Sequence, residues 1–454
     1  MKLSHRAIAC VALLSLSPGL SLGDNWPQWR GPAFNGSSTE TGLPETWDIR
    51  EKKNVAWVTP LPGPSAATPA VWACPERSRG GSRVFVTAVD RDTKDLLALC
   101  LDAATGKVLW QKPVGKDRKA PVGGNNMACP SPVTDGTTVW FYFGTGTLVA
   151  FDLDGKQLWA RELEKDYGEF VVKYGYSSSP LLYKGKLYVL VMQNADPRKY
   201  NRTHDTRPGP LESFLLALDP ASGKTLWRHV RTTNATDESV ETYLTPIPYE
   251  GSGRAEIIIP GGECVTGHDA ATGAELWRWW YQPADRQVWQ RTVNSATPGD
   301  GLVYAVRPKH RSVYAIKGGG KGELGADGLA WRLDQHVPDV LTPLLYQGRL
   351  YVANDATRVM ACLDAKSGKK LWEGKLEMKG VLRASFTAAD GKVYVLSQNG
   401  EVAVLAAGDE FKVLSRIEMG EGPCQASIAI ADHKLFIRTA RNLYCISAAR
   451  SGPQ

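Results

Sequence analysis

The residues that could do chemistry in this chain are scattered. Seven polar side chains stand a few residues before, or within, the starts of recurring β runs: Asn126, Tyr176, Tyr243, Asn294, Asp339, Arg383 and Gln425. Amides, phenols and single charges of this kind suit the binding of a small molecule or peptide, and none marks a catalytic role. Polar residues at strand starts also satisfy local backbone groups, so both readings stand. The other motifs fail their context. "GKGELG" (320–325) has the G-x-G-x-x-G spacing but runs into "ADGLAW" rather than a helix, so a dinucleotide site is not expected. "DLDG" (152–155) reads as a turn, not a calcium loop. No Gly-x-Ser-x-Gly element is present. The histidines lack His-x-x-x-His spacing and read as surface or turn residues. The eight cysteines include no close pairs, so neither a disulfide framework nor a zinc site is expected. Cys100, Cys362 and Cys445 lie in apolar runs and read as inert core residues.

What must position these side chains is a repeat. "CLDAATGKVLW" (100–110) returns as "ALDPASGKTLW" from Ala217, "GHDAATGAELW" from Gly267 and "CLDAKSGKKLW" from Cys362; "AFDLDGKQLW" from Ala150 is one residue shorter. In each, tryptophan follows the turn glycine by four residues. The aspartate can accept hydrogen bonds from the turn N–H groups, and the glycine supplies a positive φ. A second element alternates with it: a Ser/Thr-Pro pair, a turn and a β run, as in "SSPLLYKGKLYVLVM" (178–192) and "LTPLLYQGRLYVAND" (341–355). Eight copies, anchored at Pro69, Pro132, Pro180, Pro246, Pro298, Pro343, Phe386 and Ile428, are 42 to 66 residues apart. Two hairpins per unit of forty-odd residues predict an eight-bladed, all-β propeller. The last unit ends at "RNLYCIS" (441–447) without a tryptophan strand, while "NVAWVTPL" (54–61) is a tryptophan strand without a hairpin. The early strand should therefore complete the last blade and remove the open edges. Two copies depart: the fifth hairpin is overgrown (315–331), and the seventh, 403–419, lacks the tryptophan. The insertion at 73–82 reads as a solvated loop.

The net charge of +7 is mild and falls to +5 without the first 23 residues, which carry Lys2 and Arg6 and no acid. No basic run interleaved with aromatics is present, so nucleic acid is not an expected partner. Residues 1–23 read as a signal peptide, with a polar head, the apolar core "AIACVALLSLSPGL" and small residues before Asp24. Expected organisation is then a lead-in at 24–54, the propeller at 55–449 and a tail at 450–454. The mature protein is expected to be periplasmic or secreted, without an integral membrane segment.

The pattern Ala-x-Asp-x-x-Thr-Gly-Lys-x-x-Trp resembles the tryptophan-docking repeat of the PQQ-like propeller superfamily, which includes quinoprotein alcohol dehydrogenases and the propeller lipoprotein of the barrel-assembly machinery. "WPQWRGPAFNG" (26–36) resembles the lead-in of exported members. The resemblance implies that Trp110, Trp159, Trp227, Trp277 and Trp372, with Trp57 and Trp331, dock each blade on the next. It implies fold, not activity. A binding or scaffold protein with a protein or peptide partner in the cell envelope is the leading expectation, with no cofactor. The alternative is a dehydrogenase using PQQ with calcium. That activity needs a quinone pocket, carboxylate and amide ligands and an aspartate base. Glu169, Glu241 and Asp339 are the carboxylates on offer. The family's adjacent-cysteine ring is missing, as is a Cys-x-x-Cys-His haem site. Whether the channel is open or plugged by the long loops at 193–212 and 281–292 is left open by the sequence.

Overall fold

The computed structural model describes residues 24–73, 81–201, 210–281, 290–299, 301–309 and 311–448. The proposed signal peptide, the tail, most of the 73–82 insertion and the middles of both long loops lie outside them.

Eight antiparallel sheets form the blades of a propeller. Blade 1 runs outward from Ala70–Trp72 through Arg83–Val89 and Asp95–Asp102 to Val108–Lys116, and the others repeat this order. The second and third strands of each blade are almost wholly buried because neighbouring blades cover both faces. Their sequences are accordingly continuous apolar runs, while the outer strands alternate in burial. The ring closes as the orphan strand requires: Val55–Pro60 pairs with Asn442–Ser447, placing Trp57 opposite Cys445.

The repeat's grammar has a geometric cause. In every blade the register between third and fourth strands shifts just beyond the turn. This bulge aims the tryptophan across a small residue: Trp110 opposite Cys100, Trp159 opposite Ala150, Trp227 opposite Ala217, Trp277 opposite Gly267, Trp331 opposite Ala315 and Trp372 opposite Cys362. Asp102 Oδ1 accepts from the N–H groups of Ala104 (3.1 Å) and Thr105 (2.8 Å). Gly106 has φ of 73°, and a Cβ there would lie 2.6 Å from the indole of Trp57, which sits on it from the preceding blade. Trp110 lies on Gly155, Trp159 on Gly223, Trp227 on Gly273 and Trp331 on Gly368 in the same way. The glycine thus makes the turn and leaves room for its neighbour's indole. Indole N–H groups reach carbonyls of the next blade: Trp57 to Ala103 (3.0 Å), Trp110 to Leu153 (2.9 Å), Trp159 to Pro220 (2.9 Å), Trp331 to Ala365 (3.0 Å) and Trp372 to Gly408 (2.9 Å).

The overgrown fifth hairpin does more than separate two strands. Its Gly322–Glu323 joins blade 4 as a fifth, parallel strand against Trp277 and Arg278. Trp277 therefore bonds within its own blade, to Glu256 Oε2 at 2.6 Å. The anchor at Pro298 also needs correction. By register the start of blade 5 corresponds to Ser295-Ala296, and Pro298 lies inside the innermost strand, opposite Val303.

Candidate functional site

The Ser/Thr of each Ser/Thr-Pro pair forms a belt around the upper channel, the end at which the innermost strands begin. The backbone N–H of Thr68 donates to Ser131 Oγ, that of Ser131 to Ser179 Oγ, Ser179 to Thr245 Oγ1, Thr245 to Ser295 Oγ, Ser295 to Thr342 Oγ1 and Thr342 to Ser385 Oγ, at 2.9 to 3.0 Å. Ser427 N–H donates to Thr68 Oγ1 at 3.1 Å, joining blade 8 to blade 1. Each hydroxyl satisfies an N–H that the sheets leave unpaired at the channel wall. Where proline follows, no second N–H is left facing the channel.

Below the belt the channel is crossed by the lead-in. Trp26 pairs with Val71 in both directions (2.9 and 2.8 Å), Pro27 O accepts from Thr134 N–H (2.9 Å), and Gly36 O accepts from Ala388 N–H (3.0 Å). Arg30 is buried at the centre, donating to the carbonyls of Asn35 (2.7 Å), Pro343 (2.9 Å) and Phe386 (3.1 Å). Burial pushes its guanidinium down to about 9. Gly36, at φ 89°, has no space for a Cβ against Arg30. Trp29, under the Arg30 guanidinium at 5.7 Å, faces the cavity above. Among the described residues the lead-in supplies this floor.

The resulting cavity holds about 430 Å³, within the range of small-ligand sites. Tyr243, Arg383 and Gln425 line it, joined by Asn125, Tyr174, Arg291, Gln398 and five of the belt residues, Ser131, Ser179, Thr245, Ser385 and Ser427. The other four candidates stand back from the wall. Asn126 Oδ1 accepts from Ala128 N–H (3.0 Å). Tyr176 donates to Leu190 O (2.6 Å), and Asn294 Nδ2 to Leu341 O (2.7 Å). Asp339 accepts from Lys309 N–H (3.0 Å) and sits 3.7 Å from Arg291. Tyr174 and Arg291 escaped sequence reasoning because they lie on long connections without repeat register. Their geometry is specific: the Arg291 guanidinium stands 5.0 Å over the Tyr174 ring, and Tyr174 and Tyr243 are 6.1 Å apart.

The three carboxylates named from sequence are engaged elsewhere. Glu169 pairs with Arg118 (3.4 Å). Glu241 is fully buried, accepting from Lys173 N–H (2.9 Å), Tyr243 OH (3.0 Å) and Tyr200 OH. Burial raises its carboxyl against the pull of those bonds. Asp339 faces Arg291 and Lys309. Among the described residues no Asp or Glu lines the cavity. Its donor set of guanidinium, amide and hydroxyl groups does not fit a calcium ion, which requires oxygen ligands dominated by carboxylates.

The six described cysteines are free. Burial pushes the thiols of Cys100, Cys362 and Cys445 up to about 12. One histidine departs from the surface reading. His268 is fully buried between blades 3 and 4, its Nδ1 3.1 Å from Gly273 O and its Nε2 2.9 Å from Thr266 Oγ1. Burial, with Arg231 nearby, pushes its pKa down to about 3. No described helix is long and apolar enough to cross a membrane.

Known proteins resemble the chain in sequence or in fold. A polyvinylalcohol dehydrogenase of Sphingopyxis sp. (strain 113P3) is 23% identical over 83% of this chain, which spans 54% of that relative's length. BamB from Moraxella catarrhalis superposes with a TM-score of 0.55 at 13% identity, covering 86% of this chain and 99% of that one. Quinohemoprotein alcohol dehydrogenase ADHIIG from Pseudomonas putida HK5 gives 0.65 at 13% identity, covering 95% and 82%. At such identities the two structures share a fold with this chain and nothing finer. Residues 49–240, 100–317 and 211–452 match the family described as outer membrane protein assembly factor BamB, and on that near-complete match of its propeller the chain belongs to this family of PQQ-like repeat proteins.

Proposed function

We propose that this is an exported, non-catalytic propeller that binds a protein or peptide partner in the cell envelope, using the upper cavity as one recognition site. The observation that carries the reading is the cavity's donor set: Arg291, Arg383, Asn125, Gln398, Gln425 and five belt hydroxyls, with no carboxylate among the described lining residues. Such a wall presents hydrogen-bond donors to the acceptors of a peptide and offers no general base. Export rests on residues 1–23. The family match, whose description names an assembly factor, supports the same direction.

The competing reading, a PQQ-dependent dehydrogenase, is favoured by the dehydrogenase named among the sequence relatives. The test is titration of the purified protein with PQQ and calcium, followed by a dye-linked alcohol oxidation assay. No saturable quinone uptake and no turnover are expected. Micromolar or tighter uptake accompanied by oxidation overturns the binding reading.

A further inference from the structure

The lower face of the propeller is covered unevenly. The lead-in docks there by edge pairing, and it uses one register position of the innermost strands. That position is Val71, Thr134, Leu345 and Ala388, each opposite the residue preceding an aromatic of the second strand. Their N–H groups donate to the carbonyls of Trp26, Pro27, Asn35 and Gly36. In blades 4 and 5 the same position is Pro248, opposite Ile257, and Pro298, opposite Val303. Proline has no N–H to give, so these two blades cannot hold a strand as blades 1, 2, 6 and 7 hold the lead-in.

Over these prolines lies a groove of about 900 Å³, walled by the half-buried rings of Phe34, Tyr183 and Tyr346, with Tyr249 and Tyr304 fully buried beneath it. Phe34 sits at φ 58°, where a bulky residue is uncommon. From there it meets Tyr183 edge-on at 6.4 Å. One acid, Glu250, and one base, Lys366, complete the lining, so the described groove carries no net charge. The groove therefore recognises ring faces rather than backbone pairing or charge. A polyproline II segment suits it, having no internal hydrogen bonds to complete and docking on aromatic-lined grooves. The groove is continuous with the seat of the lead-in through Ala33, Phe34 and Asn35. The lead-in itself is a segment containing Pro27 and Pro32 laid across this face.

We propose that this lower groove binds an uncharged proline-rich segment of an envelope protein. The proposal rests on the reading of the protein as a binding propeller and names a second surface for it. The test is fluorescence anisotropy of end-blocked, labelled decaproline titrated with the full protein. Saturable binding is expected. Tyr183→Ala and, separately, Phe34→Ala should each weaken it by about tenfold with an unchanged melting temperature, and Arg383→Ala in the upper cavity should leave it unchanged. Tyr183 is half-buried at the end of the innermost strand Leu181–Tyr183, so its variant remains informative if Phe34→Ala unfolds. Absence of decaproline binding, binding indifferent to Tyr183→Ala, or binding of cellohexaose in its place overturns the proposal. Quinone uptake and oxidation, by contrast, bear on the binding reading itself, so the two failures are distinguishable.

Discussion

The seam between blades 8 and 1 and the joint between blades 4 and 5 meet one packing demand with different parts. At the seam, Trp57 lies on Gly106 and bonds Ala103 O, and both come from the repeated turn. At the other joint, blade 5 lacks that turn. Its long hairpin instead brings Gly328 beneath Trp279 and a parallel strand alongside Trp277, whose N–H turns back to Glu256. At both joints a flat ring lies over a residue without a side chain and the docking indole N–H is satisfied. The Asp-x-x-Thr-Gly sequence is one way to meet both conditions.

Truncation separates the two solutions most strongly. Trp57→Ala and Trp277→Ala should each cost about 3–5 kcal/mol in unfolding free energy. Trp277→Ala should be the more damaging. It strips the donor from one oxygen of a fully buried carboxylate, whereas Trp57→Ala strips only a carbonyl. Denaturant titration of both variants ranks them, and a costlier Trp57→Ala would mean that the seam, not Glu256, dominates.

The joint between blades 3 and 4 extends the comparison. The residue before the motif aspartate is Leu101, Phe151, Leu218 or Leu363 in other copies, and here it is His268. The neutral ring is held by Gly273 O and Thr266 Oγ1, and Thr266 already accepts from Arg231 Nε at 2.9 Å. Its folded pKa of about 3 lies below the unfolded value of about 6.5. Between these values the unfolded chain binds the extra proton, so stability is complete above about pH 6.5 and falls as pH drops. His268→Leu should leave stability near neutrality little changed and remove up to about 1.4 kcal/mol per pH unit of acid sensitivity below pH 6.5. Parallel melting curves of the two proteins from pH 7 to pH 4 measure the difference. Identical slopes would show that His268 does not titrate on unfolding in this range.

How much was legible follows from the same contrast. The blades, their number and the closing strand were readable because local turn chemistry and a fixed glycine-to-tryptophan distance recur along the chain. The belt was half readable: Ser/Thr-Pro was visible as a repeated punctuation mark, but the repeat does not reveal that its hydroxyls accept N–H groups of the neighbouring blade, as Ser131 does from Thr68. The cavity was read least well. Asn126, Tyr176 and Asn294 are polar in the right places along the chain, yet backbone carbonyl and N–H groups, near in sequence or on the next blade, absorb them. Trp29, Tyr174 and Arg291 reach the cavity from segments outside the repeat, where sequence spacing carries no positional information.

The smallest effect discriminates between ring packing and hydrogen bonding in docking. Trp159 and Trp227 each lie on the glycine of the next blade. Trp159 Nε1 donates to Pro220 O, which also accepts from Trp140 Nε1 at 3.0 Å, while the corresponding carbonyl for Trp227, Ala270 O, accepts from Tyr188 OH at 2.6 Å. Trp227 Nε1 has no partner among the described residues. Exchange of indole for phenyl removes similar area at both sites but a hydrogen bond at only one. Trp159→Phe should therefore cost about 1 kcal/mol more than Trp227→Phe. Equal costs in denaturant unfolding would mean that the N–H contributes nothing and that the fixed spacing is kept for ring area alone.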